Sequence, residues 1–152
     1  MIKHIKCDIF ESGADVICHQ VNCQGVMGSG IAKQVREKYP VVYEAYKKWC
    51  SQYTPKHLLG RAQPVNTNDK TLIVNIFAQE NFGYDGKCYT DYNALKSGLK
   101  TVHLNFKNNV IAIPYLMGCH RGGGDWNIVY KMIEEIFGDS DCEVLICEYN
   151  GG

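Results

Sequence analysis

The chain has 152 residues, enough for one ordinary domain that buries its own core without metals or disulfides. Sixteen Lys and Arg balance sixteen Asp and Glu, which excludes a global field that would draw nucleic acid or an anionic membrane to the surface. No run approaches the roughly 18 apolar residues of a membrane span, and Met1-Ile2-Lys3-His4 leads into a strand pattern rather than a signal peptide, so a cytoplasmic protein is expected.

In chain order, Ile5 to Phe10 and Ala14 to Asn22 read as strands, the second nearly continuous in apolar residues, as in sheets covered on both faces. After Ser29, an N-cap candidate, Ile31, Val35 and Tyr39 recur at helical spacing, and Pro40 opens a second helix through Cys50. "SQYTPKHLLG" reads as a loop. Gln63 to Thr67 and Thr71 to Ala78 read as strands joined across "NTNDK", an antiparallel excursion. From Thr90, a further N-cap candidate, Tyr92, Leu95, Leu99, Val102 and Phe106 form one helical stripe. A short buried strand over Val110 to Ile113 leads into "GCHRGGGDW". A helix follows over Trp126 to Phe137, and a strand over Glu143 to Tyr149 closes the chain. The expected fold is a single α/β domain over residues 1–152, a mixed central sheet with helices on both faces. The eight cysteines form no Cys-x-x-Cys pair and most interrupt apolar runs, so free buried thiols are expected and no metal or cofactor site is indicated.

Two stretches carry the chemistry. Gly25, Gly28, Ser29 and Gly30 lie between the carboxyl end of a buried strand and the start of a helix, where unpaired backbone N–H groups point outward and glycine lets an anion approach. Taken alone, this also fits a tight turn, since neither Walker A nor GxGxxG spacing is present. "GCHRGGGDW", Gly118 to Trp126, repeats the arrangement with Asp125 as the helix cap. Two such loops at the carboxyl ends of strands in one sheet would face each other and clasp a diphosphate.

These residues resemble the macrodomain family, which binds ADP-ribose. The resemblance covers essentially the whole chain, through "CDIF", "NCQGVMGSGIAKQVREKYP" and "IPYLMGCHRGGGDW" in that order. "HQVNCQG" places His19 as in the branch of terminal ADP-ribose protein glycohydrolase and ADP-ribose 1''-phosphate phosphatase. The resemblance implies a three-layer α/β/α fold. It also implies that Asp8, beside Ile9, reads adenine, and that Asn22 lies near the distal ribose. Gly25, Met27, Gly28, Ser29, Gly30 and Ile31 would line the diphosphate. Gly118, Cys119, His120, Arg121, Gly122 and Gly123 would form the opposing loop. Glu148, Tyr149 and Asn150 would lie near adenine, with Tyr149 stacking on it.

Departures bear on catalysis. The lysine that the branch's glycohydrolase uses is missing from "NIFAQEN", and the position of its aspartate falls near Gly122, so that mechanism is not expected. Cys7 stands where the family usually has glycine, and Lys87 sits in the following loop, where a lysine is usually solvated. The catalytic candidates are His19, Asn22 and Asp125, with Cys119 as a thiol alternative. Side chains three apart on a regular strand face opposite sides, so His19 and Asn22 share one only if the pairing is irregular. The expected function is binding of ADP-ribose or an ADP-ribosylated substrate by a monomer, with hydrolysis at the distal ribose; the alternative is a non-catalytic reader. No membrane contact is expected, and no direct nucleic-acid binding except to an ADP-ribosylated nucleic acid.

Overall fold

The computed structural model describes residues 1–149. Its strands are β1 (Ile2–Lys6), β2 (Val16–Asn22), β3 (Ala62–Asn66), β4 (Leu72–Gln79), β5 (Val110–Pro114) and β6 (Glu143–Glu148). Its helices are α1 (Gly30–Lys38), α2 (Pro40–Gln52), α3 (Pro55–Leu58), α4 (Tyr92–Asn105) and α5 (Trp126–Phe137). The strands form one sheet in the order β1-β6-β5-β2-β4-β3, parallel except for β3, which runs antiparallel to β4 at the edge and carries Pro64 at its centre.

Alternation along the strands sends side chains to both faces and makes the sheet the middle of three layers. Val16, Cys18, Val74, Ile76 and Ile113 pack with Leu95, Leu99 and Val102 of α4 and with Val129 and Ile133 of α5. Ile17, Val21, Ile73, Phe77 and Ala112 pack with Val35 of α1, Val42 and Tyr46 of α2 and Leu58 of α3. Each fully buried Leu or Ile contributes about 1.5–3 kcal/mol relative to exposure. This two-sided burial is why β2 and β4 read as continuous apolar runs. All eight cysteines are free thiols, four of them buried. Among the described residues no helix is long and apolar enough to cross a membrane.

Several boundaries differ from the sequence reading. The first strand begins at Ile2, and Ile9–Glu11 is a 3-10 turn, because the Asp8 carboxylate accepts from the Phe10 N–H at 3.0 Å and turns the chain there. "SQYTPKHLLG" contains α3, whose start is held by the Thr54 hydroxyl accepting from the His57 N–H at 3.3 Å. Asp91 rather than Thr90 caps α4, its carboxylate accepting from the Ala94 N–H at 2.9 Å. Tyr149 lies beyond the last strand, and Asn150 falls outside the described residues.

Candidate functional site

A cavity of about 430 Å³ opens where β2 and β5 end. Adjacent parallel strands β5 and β2 deliver both glycine loops to the same edge of the sheet. The first loop gives Gly28, Ser29, Gly30 and Ile31 to the wall, and the second gives Gly118, His120, Arg121 and Gly122. Gly25, Gly30, Gly118 and Gly123 hold positive φ, as expected for chain that must turn sharply beside a ligand.

The two following helices differ in a way that matters for anions. Asp125 Oδ1 accepts from the Asn127 N–H at 2.9 Å, so α5 closes its own start with a carboxylate. Asp125 is therefore a cap, and it is not part of the cavity wall. Ser29 occupies the corresponding place on α1, but its hydroxyl makes no capping bond. The start of α1 thus presents uncapped N–H groups and the positive end of its dipole to the cavity.

Asn22 holds the first loop. Its Oδ1 accepts from the Tyr46 hydroxyl at 2.8 Å and from the Gln24 N–H at 3.0 Å, while its Nδ2 donates to the Val26 carbonyl at 2.8 Å. The pairing of β2 with β4 slips at this point: Val21 pairs with Phe77 but Asn22 with Gln79. His19 and Asn22 consequently both reach toward α2. His19 does so through Asn75 and Gln63 to the Ala45 carbonyl, Asn22 directly to Tyr46. His19 is 1 % exposed, and burial pushes its imidazole down to about 4, partly countered by its bond to Asn75, so it is neutral at physiological pH.

A separate network fixes the second loop. Thr90 Oγ1 donates to the Gly118 carbonyl at 2.7 Å, and Gln20 Nε2 donates to that hydroxyl and to Gln79 Oε1, each at 2.8 Å. The Tyr89 and Thr90 N–H groups both donate to the Gly122 carbonyl. A Cβ at Gly122 would strike Thr90 Oγ1 and stand 2.6 Å from the Gly118 carbonyl oxygen. At the cavity mouth, exposed Phe82 and Tyr84 come from the β4–α4 connection, with the Arg121 guanidinium 4.5 Å over the Tyr84 ring.

The remaining expected residues lie elsewhere. Met27 and Ile9 are buried in the core on the α1–α2 side. Gly25 and Gly123 are not part of the cavity wall, and Asp8 borders a separate depression with Phe10, Glu37 and Lys38. Cys119 lies outside the wall, and burial, then the nearby Asp125 carboxylate, pushes its thiol up to about 11, which leaves it protonated and weakly nucleophilic. Lys87 is exposed and pairs with Asp85 at 3.7 Å. Tyr149 is exposed beyond β6 and Glu148 accepts from His4 Nε2 at 3.0 Å, both outside the wall. Among the described residues the wall contains no Asp, Glu or Lys, and no cluster of His, Cys, Asp or Glu could hold a metal ion.

The sequence reading missed Gln20, Gln79, Thr90, Phe82 and Tyr84. The two glutamines and Asn75 had a signal, polar residues inside runs that are otherwise apolar, where a buried amide must find partners.

No family model matches the chain. It is 28 % identical over its whole length to a Mycobacterium tuberculosis DNA ADP-ribosyl glycohydrolase, of which it covers 43 %. It is 39 % identical over 72 residues to an ADP-ribose 1''-phosphate phosphatase of Aspergillus oryzae, covering 45 % of this chain and 35 % of that protein. The chain thus spans less than half the length of these curated relatives. Among solved structures, the macrodomain of Mycobacterium tuberculosis DarG superposes with a TM-score of 0.81 at 25 % identity, over 100 % of this chain and 99 % of that one. Thermosipho africanus DarTG in complex with ADP-ribose gives 0.81 at 23 % identity, over 97 % of this chain and 41 % of that one, a likeness of fold.

Proposed function

The chain belongs to the macrodomain family, and from that premise we propose that it binds ADP-ribose or a close derivative and hydrolyses it at the distal ribose. The observation that carries the proposal is the uncapped start of α1 set opposite the Gly118–Gly122 loop and Arg121 across one cavity, a pair of donor-rich walls suited to a diphosphate. The activities named for the relatives, on DNA-linked ADP-ribose and on ADP-ribose 1''-phosphate, support a substrate that carries an ADP-ribosyl group. In the proposed reaction water adds across the bond between the distal ribose and its substituent, a phosphate or an ester-linked macromolecule, releasing the substituent and the sugar.

Within this proposal Asp8 reads the adenine amino group, Tyr149 stacks on the base, and His19 and Asn22 act at the distal ribose, His19 by contact and Asn22 by shaping the loop. Asp125 serves as the cap that positions the second loop's exit. The protein acts as a cytoplasmic monomer, with no membrane and no unmodified nucleic acid among its partners. A second reading, a non-catalytic reader of ADP-ribose, is favoured by the lack of any Asp, Glu or Lys in the described cavity wall.

Calorimetric titration with ADP-ribose and ATP, repeated with Asp8→Ala, tests the binding. Saturable binding that prefers ADP-ribose supports it, and equal preference for ATP overturns it. Turnover of ADP-ribose 1''-phosphate, an ADP-ribosylated peptide and an ADP-ribosylated oligonucleotide separates enzyme from reader: tight binding without release above the uncatalysed rate leaves the reader.

A further inference from the structure

Among the described residues two buried side-chain atoms have no hydrogen-bond partner, His19 Nδ1 and Gln20 Oε1. They belong to successive residues of β2, and both residues line the cavity. Buried polar atoms are normally satisfied, so an unsatisfied one on a residue that lines a cavity calls for a partner from outside the chain.

The state of Nδ1 follows from a chain of donors and acceptors anchored on a group with one possible role. The Ala45 carbonyl only accepts, so the side-chain atom of Gln63 3.0 Å from it is the amide nitrogen. Gln63 Oε1 is then the acceptor for Asn75 Nδ2 at 3.0 Å. Asn75 Oδ1 in turn faces His19 Nε2 at 2.5 Å, and only a protonated Nε2 satisfies it. A neutral imidazole protonated at Nε2 has a bare lone pair at Nδ1. With Nε2 committed to Asn75 of β4, Nδ1 is the ring nitrogen of this cavity-lining residue that is left without a partner among the described residues. Gln20 reaches the same condition: its Nε2 is committed to Gln79 and Thr90, which leaves its oxygen as acceptor.

The cavity therefore has two chemistries. The glycine-loop N–H groups and Arg121 donate, which suits phosphate oxygens; His19 Nδ1 and Gln20 Oε1 accept, which suits hydroxyls and not phosphate. We infer that His19 Nδ1 is a fixed acceptor for a sugar hydroxyl of the bound ligand, and that Asn75 and Gln63 are positioning residues that lock the imidazole in the Nε2–H tautomer. This deepens the ADP-ribose reading and rests on it.

The test is the long-range proton–nitrogen spectrum of protein labelled with nitrogen-15 in its histidines, with the His19 signals assigned by their loss in His19→Gln. The free wild-type protein should show Nε2 protonated and Nδ1 bare, and saturating ADP-ribose should move the Nδ1 resonance upfield as it accepts a hydroxyl proton. Asn75→Leu, checked for folding by its amide spectrum, should allow the other tautomer and weaken ADP-ribose binding by about tenfold, the scale of one hydrogen bond. A protonated Nδ1 in the free protein, or an Nδ1 signal unmoved at saturation, overturns the inference while ADP-ribose binding stands. Asn75→Leu with unchanged tautomer and affinity overturns the positioning role. A wild-type protein that does not bind ADP-ribose overturns the parent reading and this one together.

Discussion

Thr90 Oγ1 donates to the Gly118 carbonyl at 2.7 Å, joining the segment that leaves β4 to the loop that leaves β5 across the intervening strand β2. The hydroxyl also accepts from Gln20, so one side chain ties three segments, two of which give Gln20 and Gly118 to the cavity wall. Thr90→Val keeps the shape and removes both bonds. It is expected to lower stability by about 1–2 kcal/mol, since it deletes two hydrogen bonds while the Gln20 amide keeps Gln79 and the Gly118 carbonyl keeps the Gly124 N–H. Urea unfolding gives the stability, and calorimetry should show weaker ADP-ribose binding in the folded variant; unchanged values in both would mean the tie is slack.

Gly122→Ala should be more severe for binding than for folding. The new Cβ would strike Thr90 Oγ1 and the Gly118 carbonyl, so the loop must shift to admit it. Loss of ADP-ribose binding with an intact core amide spectrum is the expected result. Binding at wild-type strength would show that the loop can move without consequence.

Tyr46→Phe removes the hydroxyl that donates to Asn22 and accepts from the Val26 N–H at 3.1 Å. Burial, ahead of the neighbouring Cys50 thiol, drives the phenol's pKa upward, so the group acts as a neutral hydroxyl at all working pH. The expected cost is about 1–2 kcal/mol. Amide hydrogen exchange should quicken at 24–28 while the core strands stay protected, a local loosening rather than a global one.

Stability should fall with acid through His19. Its folded value of about 4 lies below its ordinary 6.5, so the unfolded chain takes up the proton first as pH drops. The folded state is unaffected above about pH 7, loses stability between about 6.5 and 4, and levels off below that, with a total near 3 kcal/mol. Urea midpoints measured from pH 7 to 4 should fall less steeply in His19→Gln, which has no proton to gain; parallel curves would show that other groups govern the acid response.

At the cavity mouth, Tyr84→Ala removes the ring under Arg121. If the substituent on the distal ribose crosses this rim, kcat/KM on an ADP-ribosylated oligonucleotide should drop by about tenfold through lost stacking, while ADP-ribose 1''-phosphate, whose phosphate has no ring to stack, should be turned over as before. Equal losses on both would place the ring on the common part of the substrate.

The layering was legible because two-sided burial writes itself as long apolar runs in β2, β4 and β5, and because Pro40 and Asp125 are local stop-and-start signals that tertiary packing did not override. The first strand was misplaced because Ile9 and Phe10 are apolar for packing reasons while Asp8 turns the backbone, and composition alone does not separate those cases. The glycine loops were legible as well, since positive φ and close approach demand glycine. What sequence did not convey was which polar side chains converge. His19, Asn75 and Gln63 are joined by hydrogen bonds that span 56 and 12 positions of chain, and only the sheet's pairing brings them into line.

Pro64 at the centre of β3 has a consequence for behaviour at high concentration. An outermost strand is a template on which a foreign strand can grow, but β3 offers no amide proton at Pro64, and its one sheet partner, β4, lies on the inner side. A chain adding there meets a gap midway along five residues. The fold thus carries its own guard against edge-to-edge polymerisation, at the border of the sheet farthest from β1.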